Sequence, residues 1–437
     1  MGKSLNNTSV AMAEEVGYGK TLWPSVLLFI YILLPEILAV GFETFLFLCF
    51  LLFVAIWWIA SREKLPADIP HFIGPLGLIL LVGLLGVEGH EGYDVAKDVW
   101  YVSNAALALI VGYVLMLNMR DLSRFFRVFV IASTIIAIFY LRPFVMYPWL
   151  LDLNFSVLRK LSGGGPMAPC VALGVLLAAR MGGIRLFEKS TCLFYLAVAL
   201  CSAAVILSYS RTELVMVSLF ALTVFGWIQF ISRRRVVLLI AGMASLLVIG
   251  MSLPVAQEIG WNATLIDKAL YSLQEMRVMN YVSLASINEH WRGYETLRAL
   301  YTYSLGTPLQ YLTGGGFGTN VDLGFYIDLG GERIRFAPIL HNGYMYLLVK
   351  TGMVGLFFYL LLLYRMTRRG TLLSFSERLD VKYCGRLIVG LSLSFVATTF
   401  VVAGMFNKSG MLTASLLLGA LLAYGSISEK EAAWKRV

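Results

Sequence analysis

Val99–Leu117 reads VWYVSNAALALIVGYVLML, a run without a single charge. Its length is close to the roughly 20 apolar residues that a helix needs to cross a hydrocarbon core. Its flanks differ in charge. Glu88, Glu91, Asp94 and Asp98 precede it; Arg120, Arg124 and Arg127 follow it. Basic residues concentrate in loops on the cytoplasmic side, so this stretch is read as a spanning helix running from outside to inside.

The rest of the chain repeats the pattern. Of 437 residues, 59% are hydrophobic and 14% charged, and the mean hydropathy is +0.78. So few charges cannot cover a soluble surface, where roughly a quarter of residues are charged. A water-soluble enzyme, a disordered regulator and a nucleic-acid-binding domain are excluded, despite a net charge of +9. About twelve spans are expected. They are Trp23–Gly41, Phe45–Ala60, Phe72–Val87, Val99–Leu117, Phe125–Val145, Pro166–Ala179, Cys192–Ser208, Leu214–Ile231, Val236–Leu253, Gly343–Tyr364, Leu387–Met405 and Leu412–Tyr424.

Alternate loops carry the basic residues: Arg62 and Lys64; Arg120, Arg124 and Arg127; Arg180, Arg185 and Lys189; Arg233, Arg234 and Arg235; and the segment from Arg365 to Arg386. The intervening loops hold only Lys97, Arg159, Lys160, Arg211 and Lys408 besides the one long loop. Both termini are therefore expected in the cytoplasm. The basic surplus is a topology signal. The polar first twenty residues show no cleavage site, so no cleaved signal peptide is expected. None of the five cysteines falls in an external loop and no CxxC occurs, so the sequence points to neither disulfides nor thiolate metal sites.

The expected fold is an all-α polytopic membrane protein with a large helical outer loop between helices nine and ten. Residues 1–254 hold the first nine spans, 255–342 the loop, and 343–437 the last three spans and a cytoplasmic tail. A loop of about 85 residues is uncommon and usually functional. Ile266, Ala269, Leu270 and Leu273, then Leu297, Leu300, Tyr301 and Ser304, repeat at helical spacing. Amphipathic helices on the outer surface are expected, followed by a flexible break at Gly314–Gly318.

Chemistry must come from few residues. The four histidines show no metal-ligand spacing, and the carboxylates of Glu88–Asp98 lack a histidine at such spacing. That is a weak metal signal, and no metal or cofactor is expected. His341 stands where the loop re-enters the membrane, before Asn342-Gly343-Tyr344. An imidazole suits proton transfer near neutral pH, or this one simply caps the following helix. Arg211, in Ser210-Arg211-Thr212-Glu213, lies at the outer end of a span, on the side the charge rule disfavours. It either binds an anion or snorkels beside Glu213. Arg292 opens an amphipathic segment that also carries Arg298, and either binds or is a solvated residue pairing with Glu295 or Glu289. Two arginines can grip a diphosphate through charge-assisted contacts, stabilise its charge as it leaves, and work beside a histidine base.

At these residues the chain resembles the O-antigen ligase and polymerase superfamily of bacterial inner-membrane glycosyltransferases, which have a GT-C-like helical fold. The resemblance rests on Ser210-Arg211, then Arg292, Pro308 and Gly314–Gly318, then His341-Asn342-x-Tyr344 with Gly352 and Gly355, and covers roughly residues 190–365. Two departures bear on the acceptor pose: Thr296 stands where the family often has an aromatic residue, and the turn holds extra glycines. The resemblance implies metal-independent, inverting transfer of a glycan from undecaprenyl diphosphate to a sugar hydroxyl on the periplasmic face. Arg211 and Arg292 would grip the diphosphate and His341 would act as base. Ser210, Asn342, Tyr344, Arg298, Gly316 and Gly318 are supporting candidates. The acceptor is lipid A-core for a ligase, or a second carrier-linked repeat for a polymerase; the motifs favour the ligase slightly.

Two other readings compete. A flippase or other transporter of lipid-linked oligosaccharides fits the helix count, but the spans show few buried charges, with only Glu36 looking deep. A peptidoglycan glycosyltransferase of the shape-and-division type is expected to use a loop carboxylate, and His-Asn is not its signature.

Overall fold

The computed structural model describes residues 22–37, 69–152, 158, 165–187, 190–228, 281, 286–287, 290–329, 332–406 and 411–434. Helices α1 (Trp23–Ile37), α2 (Ile69–Leu84), α3 (Gly92–Met119), α4 (Leu122–Met146), α5 (Met167–Met181), α6 (Thr191–Leu207) and α7 (Arg211–Val224) fall on expected spans. So do α10 (Gly343–Leu373), α11 (Leu379–Val402) and α12 (Leu412–Trp434). The expected spans Phe45–Ala60 and Val236–Leu253 lie outside the described residues, as does the periodic segment Ile266–Leu273. Among the described residues five helices, α3, α4, α10, α11 and α12, are long and apolar enough to cross a membrane. Met353, Phe357, Leu360 and Tyr364 form an exposed stripe along α10 at spacings of three and four residues. Large exposed apolar surface suits acyl chains and not water. This is a multi-pass membrane protein.

Lipid tails are as apolar as leucine, so these helices associate through close packing. α12 is almost wholly buried, which makes it the innermost of the described long helices. It meets α3 where Gly112 lies against the Leu416 carbonyl and Gly419 against the Leu109 carbonyl; a Cβ at either glycine would strike backbone.

The bundle has two chemically distinct ends. At one, Arg365 donates to the His71 carbonyl (2.8 Å), Arg386 to the Val224 carbonyl (2.8 Å) and Arg127 to the Leu186 carbonyl (2.6 Å). Arg369 holds Glu429 with two bonds of 2.7 Å, and Arg378 holds Asp380 and Glu431. These arginines close the basic end. The acidic segment before α3 behaves differently from the sequence reading. Asp94 and Asp98 are not in a loop but in the first turns of α3, at the opposite end.

That opposite end is built around an interruption in α10. Gly352 has φ 62° and ψ −163°, a conformation essentially confined to glycine. A helix broken there frees the carbonyls of Val349 and Lys350 from their usual partners four residues on. Gly315 N–H donates to Val349 O (2.8 Å) and Gly316 N–H to Lys350 O (3.1 Å). Phe317 N–H donates to Gly83 O (2.8 Å), and the Phe317 ring fills the space that a side chain at Gly83 would occupy. Gly318 N–H donates to Asp98 Oδ2 (2.7 Å). Gly316, with φ 88°, lies so close to Gly86 that a Cβ would meet backbone. Gly314–Gly318 is thus packed and hydrogen-bonded, a correction to the flexible break expected from its composition.

Asp98 anchors this arrangement. It is 1% exposed and accepts from Tyr346 Oη (2.7 Å) as well as from Gly318, and it pairs with the Lys350 ammonium, itself buried. His90 Nε2 lies 2.9 Å from Gly315 O, and Asn320 donates to Asp94 (2.7 Å). The Glu88–Asp98 segment holds the glycine turn. Lys350 also corrects the expectation that the spans bury few charges: it lies in α10, whereas Glu36, expected to be deep, is exposed.

The segment before α10 contains α8 (Trp291–Ser304), the short α9 (Pro308–Thr313) and an antiparallel pair, β1 (Val321–Leu329) and β2 (Glu332–Ala337). The two strands correct the all-α expectation. Their residues alternate, and Gly330-Gly331 in the sequence between them is a hairpin signal. Residues Thr307 and Gln310 form a reciprocal cap at the start of α9, with Pro308 at its first position.

Candidate functional site at the loop–membrane junction

His341 and Asn342 join the strand-bearing segment to α10, and the structure divides their tasks. Asn342 caps the helix: its Oδ1 accepts from Tyr344 N–H (3.1 Å) and Met345 N–H (3.3 Å). That satisfies donors the helix leaves unpaired. The capping role open to His341 therefore belongs to its neighbour. Tyr344 Oη donates to the Val396 carbonyl (3.0 Å), tying α10 to α11.

His341 is fixed by other contacts. Its carbonyl accepts from Ala403 N–H (2.6 Å), just past the end of α11. Its own N–H donates to Glu295 Oε2 (2.8 Å), and its Nδ1 lies 3.2 Å from Oε2 and 3.3 Å from Oε1 of the same carboxylate. Glu295 is 3% exposed, whereas the His341 side chain is 51% exposed. A buried carboxylate thus sits behind a half-exposed imidazole. Glu295 was expected only as a partner for Arg292 along one helix; its contact with a residue far along the chain carries no local sequence signal.

Arg292 opens the same helix, α8, three residues before Glu295, and so shares its face. Arg292 thus lies about one helical turn from the residue that holds His341. Arg298 faces another way. Its Nε donates to the Asp322 carbonyl (2.7 Å) and its guanidinium lies over the Tyr301 ring, 4.9 Å from the centroid. Tyr294 Oη donates to the Leu323 carbonyl; burial raises its pKa. Both residues fasten α8 to β1, so Arg298 serves the scaffold. Gly316 and Gly318 likewise hold the packed turn. Lys350, whose carbonyl receives that turn, lies about 10 Å along α10 from its start.

Arg211 comes from another helix. Ser210 is buried and its N–H donates to Ser208 Oγ (3.1 Å), while Ser208 Oγ lies 2.9 Å from the buried Glu213 carboxylate. Tyr209 has φ 47°, rare for a residue with a side chain, and makes the sharp elbow between α6 and α7. The level of Arg211 follows from packing. At the basic end Arg386 of α11 bonds Val224 of α7, and Phe220 and Thr223 pack against Gly390, so the two helices run antiparallel. Over its 14 residues α7 climbs about 20 Å. Arg211 is thereby carried to the end where α11 stops beside His341. Arg211, Arg292 and His341 stand at one end of the bundle, opposite the basic end.

No curated protein sequence matches the chain significantly. Residues 196–360, from within α6 to within α10, match the family described as O-antigen ligase. That segment contains Arg211, Arg292, Glu295 and His341. Over this segment the chain is similar to the O-antigen ligase family, in agreement with the resemblance seen in its sequence motifs.

Proposed function

We propose that the protein transfers a glycan from undecaprenyl diphosphate to a sugar hydroxyl at the periplasmic surface of a bacterial inner membrane, as an O-antigen ligase does. The family supports a membrane glycosyltransferase acting on lipid-linked glycans. The observation that carries the finer reading is the pairing of half-exposed His341 with buried Glu295, on the helix that Arg292 opens. In the proposed step the acceptor oxygen forms a bond to the anomeric carbon as the bond to the diphosphate oxygen breaks. The acceptor proton passes to the imidazole, and the electron pair leaves with the diphosphate. Arg211 and Arg292 hold that charge as it develops. A single displacement inverts the anomeric centre.

Purified protein, a carrier-linked glycan and two acceptors in parallel, lipid A-core and a carrier-linked repeat, test the proposal. Transfer to the core identifies a ligase; transfer only to the repeat identifies a polymerase. His341→Ala is expected to lose about 10²–10⁴ in turnover. Arg211→Ala and Arg292→Ala are expected to weaken use of the diphosphate donor, and EDTA to leave activity unchanged. Wild-type turnover in His341→Ala, or activity that vanishes with EDTA and returns with Mg²⁺, would refute this chemistry.

A further inference from the structure

We infer that Glu295 is a positioning residue that sets the tautomer of His341 and leaves Nε2 as its proton-accepting atom. The inference rests on the proposed role of His341. It follows from an inventory of donors. An ionised carboxylate has no hydrogen to give. Glu295 Oε2 already accepts from the His341 backbone N–H at 2.8 Å. With Nδ1 at 3.2 and 3.3 Å from the two carboxylate oxygens, the ring must donate from Nδ1 to bond there at all. A neutral imidazole carries one hydrogen. Placed on Nδ1, it leaves the lone pair on Nε2, on the far side of the ring from Glu295.

Three further features fit this role. The backbone of His341 is clamped on both sides, by Glu295 at its N–H and by Ala403 at its carbonyl, so one carboxylate fixes both the main chain and the ring. Glu295 is buried while His341 opens outward, an arrangement in which the carboxylate orients the ring without facing the reacting groups. When Nε2 takes the acceptor proton, the imidazolium forms beside a carboxylate already in place, which stabilises it without rearrangement.

Glu295→Gln separates this role from simple support. The carboxamide nearly matches the carboxylate in shape, but one oxygen becomes an NH₂ donor. The main-chain N–H of His341 requires an acceptor, so the amide oxygen takes the Oε2 position. The NH₂ then takes the Oε1 position, 3.3 Å from Nδ1, where it opposes a hydrogen on Nδ1 and shifts the imidazole hydrogen towards Nε2, although the amide oxygen remains 3.2 Å from Nδ1. The base is lost although packing is kept. Glu295→Asp keeps an acceptor-only group at a shorter reach.

The test uses the full chain in detergent, with ¹⁵N-labelled histidine and resonances assigned through His341→Ala. Wild type and Glu295→Asp are expected to show His341 protonated on Nδ1, and Glu295→Gln to show it on Nε2. In the transfer assay Glu295→Gln is expected to lose about 10²-fold or more in kcat, with donor KM within about threefold and an unchanged melting temperature. Glu295→Asp is expected to recover part of that loss. An unchanged tautomer in Glu295→Gln, or wild-type kcat in that variant, overturns the positioning role. Wild-type turnover in His341→Ala instead refutes the proton-transfer reading itself. The tautomer measurement does not depend on activity, so the two failures are distinguishable.

Discussion

Removing one partner of the buried Asp98–Lys350 pair is expected to destabilise the bundle sharply. Both side chains are at most 3% exposed, and a charge stranded in such a site costs about 3–5 kcal/mol. The two single variants are not equivalent. Lys350→Met leaves Asp98 with two donors, Gly318 N–H and Tyr346 Oη, so part of its charge stays compensated. Asp98→Asn leaves the Lys350 ammonium facing a neutral amide and weakens all three bonds at once. Asp98→Asn should therefore fall at the upper end of the range and Lys350→Met at the lower. At about 2 °C per kcal/mol for a large domain, the melting temperature should drop by roughly 6–10 °C. The combined variant Asp98→Asn/Lys350→Met removes both charges and should melt above Asp98→Asn alone. The assay is tryptophan fluorescence during heating at one fixed scan rate, since unfolding of such a protein is governed by rate. Single variants within about 1 °C of wild type, or a double variant showing the plain sum of the two losses, would refute the reasoning.

Two further outcomes are expected. Gly352→Ala should lower the melting temperature and open the 314–318 turn to protease, because its φ is 62° and a Cβ would meet the Leu312 and Gly314 backbones; Gly355→Ala, whose Cβ meets only the Thr351 side chain, should be milder. In the hairpin, Arg335 bonds Asp322 at 2.9 and 3.0 Å, and that bond, with Gly324 N–H, lowers the Asp322 pKa to about 2. A carboxyl depressed below its unfolded value of about 3.9 stabilises the fold above that pH and ceases to do so as pH falls through about 2. Protection of the β1 and β2 amides, taken relative to the free-chain exchange rate at each pH, should therefore fall between about pH 4 and pH 2, and Asp322→Asn should remove that pH dependence.

Membrane character was legible because it depends on single segments: an uncharged run such as Val99–Leu117 announces itself, and α3 duly contains it. Asn342 and Tyr344 were legible as a motif, and the structure supplies their physical reasons, a cap and a tether. The contact of Glu295 with His341 was not legible, because its spacing offers only a partner along its own helix, whereas these bonds reach another element. Lys350 passed as part of an apolar span because its counter-charge stands in a helix remote in sequence. The glycine turn looked flexible for the same reason: its backbone partners come from α2, α3 and α10. The β1–β2 pair had a local signal, alternation around Gly330-Gly331, which the expectation of helices obscured.

The interruption of α10 at Gly352 bears on how the chain assembles during synthesis. Residues 314–318 leave the ribosome before α10 does. The backbone carbonyls of Val349 and Lys350, freed by the interruption, find their partners in that earlier segment, which must already be in place. The segment in turn needs Gly83 and Asp98 from helices made long before. α10 can therefore seat only after three older pieces of chain have met, so its seating also checks that the 314–318 turn has folded.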